Sequence, residues 1–237
     1  LLRGGWLVVA HSSIDLAEYV DAEHAYKNVL ALTPPDHESR PSVIDGLAAS
    51  IYKQGEKARD TGDLETAVTH FMRLGEVVPD SDIRATAEYD AAAALINLQA
   101  WDRASGVLEQ YRRDYPDSEF ADDVTQKLAV TYLESGRGVE AAQEFERIAV
   151  AESTNEEIRR EALWQASGLY EKAYPVTLRD TSGSGLGGMY VGDETLSPTA
   201  TFVLRDDEEN EDRRVRIVWT KRVAEYVQML GLEVSEN

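Results

Sequence analysis

Cysteine is absent from this chain of 237 residues. Without it there can be no disulfide, no thiolate metal site and no thiol nucleophile, and the redox compartment is left open. Positive charge is scarce, with 24 Lys and Arg against 44 Asp and Glu for a formal net charge of −20. The phosphate attraction that drives nucleic-acid binding acts in reverse on such a chain, as does the pull of an anionic membrane surface. No nucleic-acid partner is expected. Long hydrophobic runs are missing too: "WLVVA" at 6–10 is too short to cross a bilayer and has no cleavage-site context. Direct membrane insertion of this chain is therefore not expected, and any signal or lipid anchor would lie upstream. Histidine is limited to His11, His24, His37 and His70, with no HExxH or comparable spacing. No metal site, cofactor or catalytic set is expected, and the chain is read as non-enzymatic.

What is present is a hydrophobic content of 43%, enough for one large or two small domains with a real core, and an internal repeat. "GDLETAVTHFMRLGEVVPDS" from Gly62, "QAWDRASGVLEQYRRDYPDS" from Gln99 and "SGRGVEAAQEFERIAVAES" from Ser135 align with Ala67, Ala104 and Ala141 at intervals of 37. The same offset carries Phe71 to Leu108 to Phe145, and Pro79 to Pro116. Upstream in each unit lies a second helical stretch with a small residue at Gly55, Ala92, Ala129 and Ala166. Each unit reads as helix, turn, helix. The small residues let neighbouring helices approach, and the aromatic or Leu four positions after the second alanine fills the gap beside it. Pro79 and Pro116 stop the second helix, while Gly62 and Gly136 supply the backbone freedom that ends the first. Acidic pairs at Asp122 and Asp123, and at Glu156 and Glu157, are expected at helix starts, where carboxylates face the N-terminal dipole favourably. From Ala22 to Ala67 the interval is 45, and the excess falls in "TPPDHESRPS", which reads as a longer loop.

These residues resemble the tetratricopeptide repeat (TPR) family. The pattern of Trp or Leu, Gly or Ala, Tyr, then Ala, Phe or Tyr and Pro is met by Trp6, Ala10, Ala22, Tyr26 and Pro34, and by Gly55, Ala67, Phe71 and Pro79. It is met again by Ala92, Ala104, Leu108 and Pro116, and by Ala129, Tyr132, Ala141 and Phe145. A fifth unit begins at "EALWQASGLYEKA" and loses its second helix. The resemblance covers roughly residues 3–174 and implies a mainly α solenoid of about four and a half repeats, a domain spanning 1–174. The "YPDS" at 115–118 is similar to helix endings in TPR proteins of the bacterial cell envelope, which favours a periplasmic location.

A stack of helix pairs curves so that the first helices form a concave face, the usual surface for a protein or peptide partner. Carried over from the family, the groove positions are Tyr52, Glu56, Arg59 and Asp60, then Tyr89, Ala93, Ile96 and Asn97, then Gln126, Val130, Leu133 and Glu134. Relatives that clamp a terminal carboxylate repeat Lys or Arg on this face. Here only Arg59 qualifies, so chaperone-tail binding is not implied. For Tyr52 and Tyr89, packing between repeats is as good a reading as partner contact.

After Tyr174 the pattern changes to short β-branched runs, "PVTLRD", "TATFVLRD", "RRVRIVWTK" and "EYVQMLGLEV", separated by turn-rich "TSGSG" and "DDEENED". Partial alternation marks them as strands of a small β-domain at 175–237. This tail resembles the PilZ family, a small β-barrel that binds cyclic di-GMP, through D-x-S-x-x-G at Asp180, Ser182 and Gly185 and through the closing "VRIVWTKRVAEYVQMLGLEV". The resemblance implies a ligand-side turn of Arg179, Asp180, Ser182 and Gly185, in a cytoplasmic protein responsive to the dinucleotide. It departs from the family in lacking any R-x-x-x-R, whose guanidiniums would hold phosphate and guanine. Only weak binding of cyclic di-GMP is expected.

Overall fold

The computed structural model describes residues 1–151, 153–173, 199–205 and 212–218. Among them are nine helices: α1 Leu2–Asp15, α2 Tyr19–Ala31, α3 Arg40–Asp60, α4 Leu64–Val77, α5 Arg84–Asn97, α6 Trp101–Asp114, α7 Ala121–Glu134, α8 Gly138–Val150 and α9 Glu156–Ala173. Two strands, β1 Thr199–Arg205 and β2 Asp212–Val218, pair antiparallel. Two compact units divide the chain, Leu1–Ala121 and Asp122–Asn237.

In the first unit each helix packs on the next along the chain, from α1 to α6, the order expected of stacked hairpins. The alanines of the repeat sit where the helices touch: Ala10, Ala22, Ala67, Ala92 and Ala104 are fully buried. Phe71 fills the space beside Gly55, where an added Cβ would stand 2.5 Å from the ring's Cε1. Tyr26 packs in the same way against Gly46. Small residue and ring are therefore one device, spread over two helices. In the second unit α8 and α9 pack together through Ala142, Ala166 and Tyr170, with Val139, Phe145 and Leu169 around them.

The turn inside each hairpin is built the same way four times. A residue in the left-handed region ends the first helix at Ala17 (φ 57°), Gly62 (φ 82°), Gln99 (φ 56°) and Gly136 (φ 76°). The next amide always reaches back to the carbonyl five residues earlier, from Glu18 to Ser13, Asp63 to Ala58, Ala100 to Leu95 and Arg137 to Tyr132, at 2.8–2.9 Å. This is the Schellman arrangement, which satisfies carbonyls that the helix end leaves open. The next helix follows at once, with Asp63 capping α4 by accepting from the Thr66 amide at 3.2 Å. Between hairpins, Val78 (φ −138°, ψ 69°) and Tyr115 (φ −130°, ψ 62°) leave the helical region directly before Pro79 and Pro116, as a following proline ring requires.

One expectation holds only in part: "TPPDHES" at 33–39 is a loop, and residues 32–39 make a longer connection than 78–83 or 115–120. The excess residues between the first two repeats lengthen the helix more than the loop, since α3 runs to 21 residues where α5 has 14. Pro41 lies in the first turn of α3, where its missing N–H removes no helical hydrogen bond. "RPS" therefore starts a helix instead of closing a loop. The acidic pairs do fall at helix starts, Asp122 and Asp123 in the first turn of α7 and Glu156 and Glu157 in that of α9.

In the tail, β1 and β2 coincide with "TATFVLR" and "DRRVRIV", and their register sets Phe202 opposite Val215, Ala200 opposite Ile217 and Thr201 opposite Arg216. The remaining strands of the expected barrel, and Arg179, Asp180, Ser182 and Gly185, lie outside the described residues.

Candidate partner-binding face

The anticipated groove residues of the first unit lie on α3 and α5. Tyr52 is half-buried, its ring 5.3 Å from that of Phe71, and its hydroxyl donates to Asp90 Oδ2 at 2.5 Å. Arg59 reaches the same oxygen at 3.3 Å, lies 3.5 Å from Glu56 and 3.8 Å from Asp60, and rests over the Phe71 ring. Glu56 is also held by Lys53 at 2.6 Å. Burial, and then the Asp90 carboxylate, push the Tyr52 phenol well above its usual range, so it stays a neutral donor. Three carboxylates thus surround the face's anticipated cation. Arg59 is occupied within the protein and is poorly placed to clamp the terminal carboxylate of a peptide.

On α5, Tyr89 is half-buried and stacks on Phe120 at 4.5 Å and 17°, with Tyr111 tilted against it at 6.2 Å. Ala93 and Ile96 are half-buried and Asn97 is exposed. Tyr52 and Tyr89 each spend one ring face on a neighbouring helix or loop while keeping part of their surface in solvent. In the second unit, Gln126, Val130, Leu133 and Glu134 all lie exposed on α7. Gln126 borders a depression lined also by Asp122, Thr125, Arg147 and Ile148, on whose rim Ser153 Oγ donates to Asp122 Oδ2 at 2.6 Å.

The histidines make local contacts. His37 Nδ1 accepts from the Ser39 amide at 3.1 Å, and Arg3 meets its Nε2 at 3.0 Å. His70 lies 3.2 Å from Arg73, and its pKa is lowered by burial and then by that guanidinium. His24 meets Trp6 edge-on, and His11 lies tilted against Tyr26. Among the described residues no three His, Asp or Glu side chains are grouped so as to hold a metal ion. No described helix is long and apolar enough to cross a membrane.

A polar cluster escaped the sequence reading. Glu23, on α2, is buried and accepts from both terminal nitrogens of Arg73 on α4 at 2.8 and 2.9 Å, from Lys27 at 2.7 Å and from Gln54 of α3 at 2.7 Å. Burial alone would raise its pKa, but the hydrogen bonds from Arg73, Lys27 and Gln54 outweigh it and hold the carboxyl at about 2. The bidentate pair joins α2 to α4, and Gln54 brings in α3. Glu23 follows Ala22 where the later repeats have Val68, Ser105 and Ala142. A carboxylate in a column of small or apolar residues was the available signal.

With this geometry in view, residues 86–118, which contain nearly all of α5, the turn and α6, match the tetratricopeptide repeat family. No match was found among curated proteins. Similar solved structures include a tetratricopeptide repeat protein from Parabacteroides merdae, at 14% identity over 73% of this chain and 63% of that one, with a TM-score of 0.42. TPR-like repeats from Podosopora anserina are 16% identical over 71% of this chain and 85% of that one, at 0.40. BtubC (BKLC) from P. vanneervenii is 16% identical over 76% and 84%, also at 0.40. Tetratricopeptide repeats are generally scaffolds for contact between proteins, not catalytic centres.

Proposed function

We propose that the chain is a non-enzymatic scaffold that binds a partner polypeptide along the first helices of its hairpins. The observation that carries this reading is the hairpin itself, repeated from α1 to α6 with the same buried alanines and left-handed turn, and matched to a tetratricopeptide repeat at residues 86–118. In the first unit the contact surface is the exposed part of Tyr52, Glu56, Asp60, Tyr89, Ala93, Ile96 and Asn97. Because Arg59 is engaged by carboxylates, the partner is held through its side chains, not by its C-terminus. On α7, Val130 and Leu133 offer exposed apolar contacts.

Photo-crosslinking side chains placed at Asn97 and Val130, with Asp102 on α6 as a control, test the face. Adducts are expected from the first two, and equal capture from Asp102 would sink the assignment. Val130→Asp combined with Leu133→Asp should lower capture at least tenfold if these apolar contacts are desolvated by the partner. The melting temperature should not change.

A second reading is a cyclic di-GMP-responsive effector whose repeats relay the signal to a partner. It is favoured by the D-x-S-x-x-G motif at Asp180, Ser182 and Gly185 ahead of the antiparallel pair β1 and β2. Lacking R-x-x-x-R, the chain should bind the dinucleotide weakly or not at all. In a calorimetric titration, micromolar or tighter binding that disappears in Ser182→Ala would refute the weak-binding claim and establish the site. We favour the periplasm on the strength of the "YPDS" helix ending. A reporter fusion that is active only in the cytoplasm would reverse that choice.

A further inference from the structure

The partner face changes character on α9. The offset of 37 that carries Ala92 to Ala129 to Ala166 carries the groove positions Ala93 and Ile96 of α5 to Val130 and Leu133 of α7, and then to Ser167 and Tyr170 of α9. Val130 is 47% exposed and Leu133 41%, whereas Ser167 is 4% exposed and Tyr170 6%. A neighbouring helix alone does not produce this burial. Ile96 packs on the cluster around Val68 of α4 and stays half-buried, while Tyr170 packs in the equivalent way on Ala142 of α8 and is buried. Ser167 Oγ is shut in without a hydrogen-bond partner among the described residues. A hydroxyl on an open groove would reach water.

The opposite flank of α9 shows the reverse. Val124, Leu128 and Tyr132 of α7 are buried, and 37 residues on the same positions are Glu161, Gln165 and Leu169. Glu161 and Gln165 are exposed and bonded to each other at 2.6 Å, and Leu169 is half-buried. The flank on which a second helix of the fifth unit would pack is thus left to solvent. Among the described elements of this unit, α9 packs against α8, β2 and, less extensively, β1. α8 meets it through Ala142, on the side of Ala166 and Tyr170. The strand pair is the described element left to cover Ser167.

We infer that the antiparallel pair β1 and β2 is seated on the partner face of α9 and closes that face beyond α7. The open part of the face in this unit is then α7 with Val130 and Leu133, and a partner reaches α9 only by displacing the strands. The tail is an occupant of the scaffold's own groove. This inference rests on the scaffold reading for what the face is for, but its test reads burial with no partner present, so the two fail separately.

Thiol accessibility tests it, since the chain has no native cysteine. In the full chain, maleimide should modify Ser167→Cys at least tenfold more slowly than Val130→Cys or Gln165→Cys, because a buried thiol reacts only when its cover opens. Successive residues of an antiparallel strand alternate in donating across the ladder, so Val215→Pro combined with Arg216→Pro must remove a cross-strand hydrogen bond. In that background Ser167→Cys should approach the rate of Gln165→Cys, with the helical circular dichroism unchanged. Ser167→Arg reads the same contact from the other side: a side chain too long for the seat should speed amide exchange along β1 and β2 at least tenfold and leave α7 as it was. A Ser167→Cys thiol as reactive as that of Val130→Cys overturns the inference. So does protection that survives the two prolines, or strand exchange that Ser167→Arg leaves unchanged.

Discussion

The two junctions between hairpins in the first unit solve one packing problem with opposite chemistry. At the first, the buried charge is Glu23 on a second helix, and its partners come from α3 and α4 as well as from its own helix. At the second, the buried charge is Glu88 on a first helix, held by Arg84 four residues away at 2.7 Å, with Asp114 of α6 3.6 Å from the same guanidinium. Gly75 makes room for that pair: an added Cβ would lie 3.1 Å from Arg84 Nε. The first junction therefore depends on partners 31 and 50 residues away in sequence, whereas at the second the nearest partner lies four residues away on the same helix. Equal geometry need not mean equal sensitivity to mutation.

Glu23→Ala breaks the comparison most severely. Removing one member of a buried pair leaves the other uncompensated, at a cost of roughly 3–5 kcal/mol, and Arg73 keeps enough exposure to place this case at the lower end. Chemical denaturation at neutral pH measures it, and a loss under about 1 kcal/mol would mean that water replaces the carboxylate without penalty. The same group fixes a pH dependence. Its folded pKa is lowered from 4.5 to about 2, so its stabilisation is fully present above about pH 4.5 and is lost as pH falls toward 2. On the order of 3 kcal/mol should disappear across that window. Glu23→Gln, with nothing to protonate, should flatten that part of the profile.

Glu88→Ala should cost less, about 1–2 kcal/mol, since the Arg84 it releases is a third exposed and keeps Asp114 at 3.6 Å. If it proves as damaging as Glu23→Ala, the distinction between distant and local partners is wrong. Tyr115 offers a second readout, because burial and the Glu88 carboxylate beside it push its phenol up to about 12.

A third comparison sets two helical glycines side by side. Gly55→Ala would drive a methyl to 2.5 Å from the buried Phe71 ring, an overpacking cost of about 1–3 kcal/mol set against a gain in helix propensity of about 1. The balance should be destabilising. Gly106, in α6, has nothing within 4 Å of the same atom, so Gly106→Ala should stabilise by about 0.5–1 kcal/mol. Like signs for the two would undo the account of Gly55 as a packing residue.

What could be read from sequence follows from how far each cause reaches. Ala67, Ala104 and Phe71 were legible because a fixed period repeats their packing, and Pro79 and Pro116 because a proline acts on its own neighbours. The length of α3 was not legible, since "RPS" looks the same in a loop and in a first helical turn until the helix around Pro41 is known. Glu23 stood out in its column, but its partners did not: they share no local pattern with it, and only the folded chain brings Gln54 and Arg73 to its side. The expected groove positions on α3 and α5 in the first unit, and those on α7 in the second, rest on the family's repeat pattern. The engagement of Arg59 with Asp90 joins two helices and could not be read from it.

The smallest effect tests the turns. Gly62 and Gln99 hold the same left-handed conformation in the same hydrogen-bonded turn, yet only glycine adopts it without strain. For a residue with a Cβ that conformation costs about 1–2 kcal/mol, so Gly62→Ala should destabilise by an amount in that range. Gln99→Gly removes the strain but enlarges the freedom of the unfolded chain, which returns about 0.4–1 kcal/mol. The expected net gain is about half a kcal/mol, and it should arise without any new contact, because Gln99 is exposed. Denaturation of the two variants under one set of conditions gives the signs directly. Destabilisation by Gln99→Gly would mean that the glutamine side chain contributes more to the turn than its backbone strain removes, and the equivalence of the hairpin turns would then be geometric only.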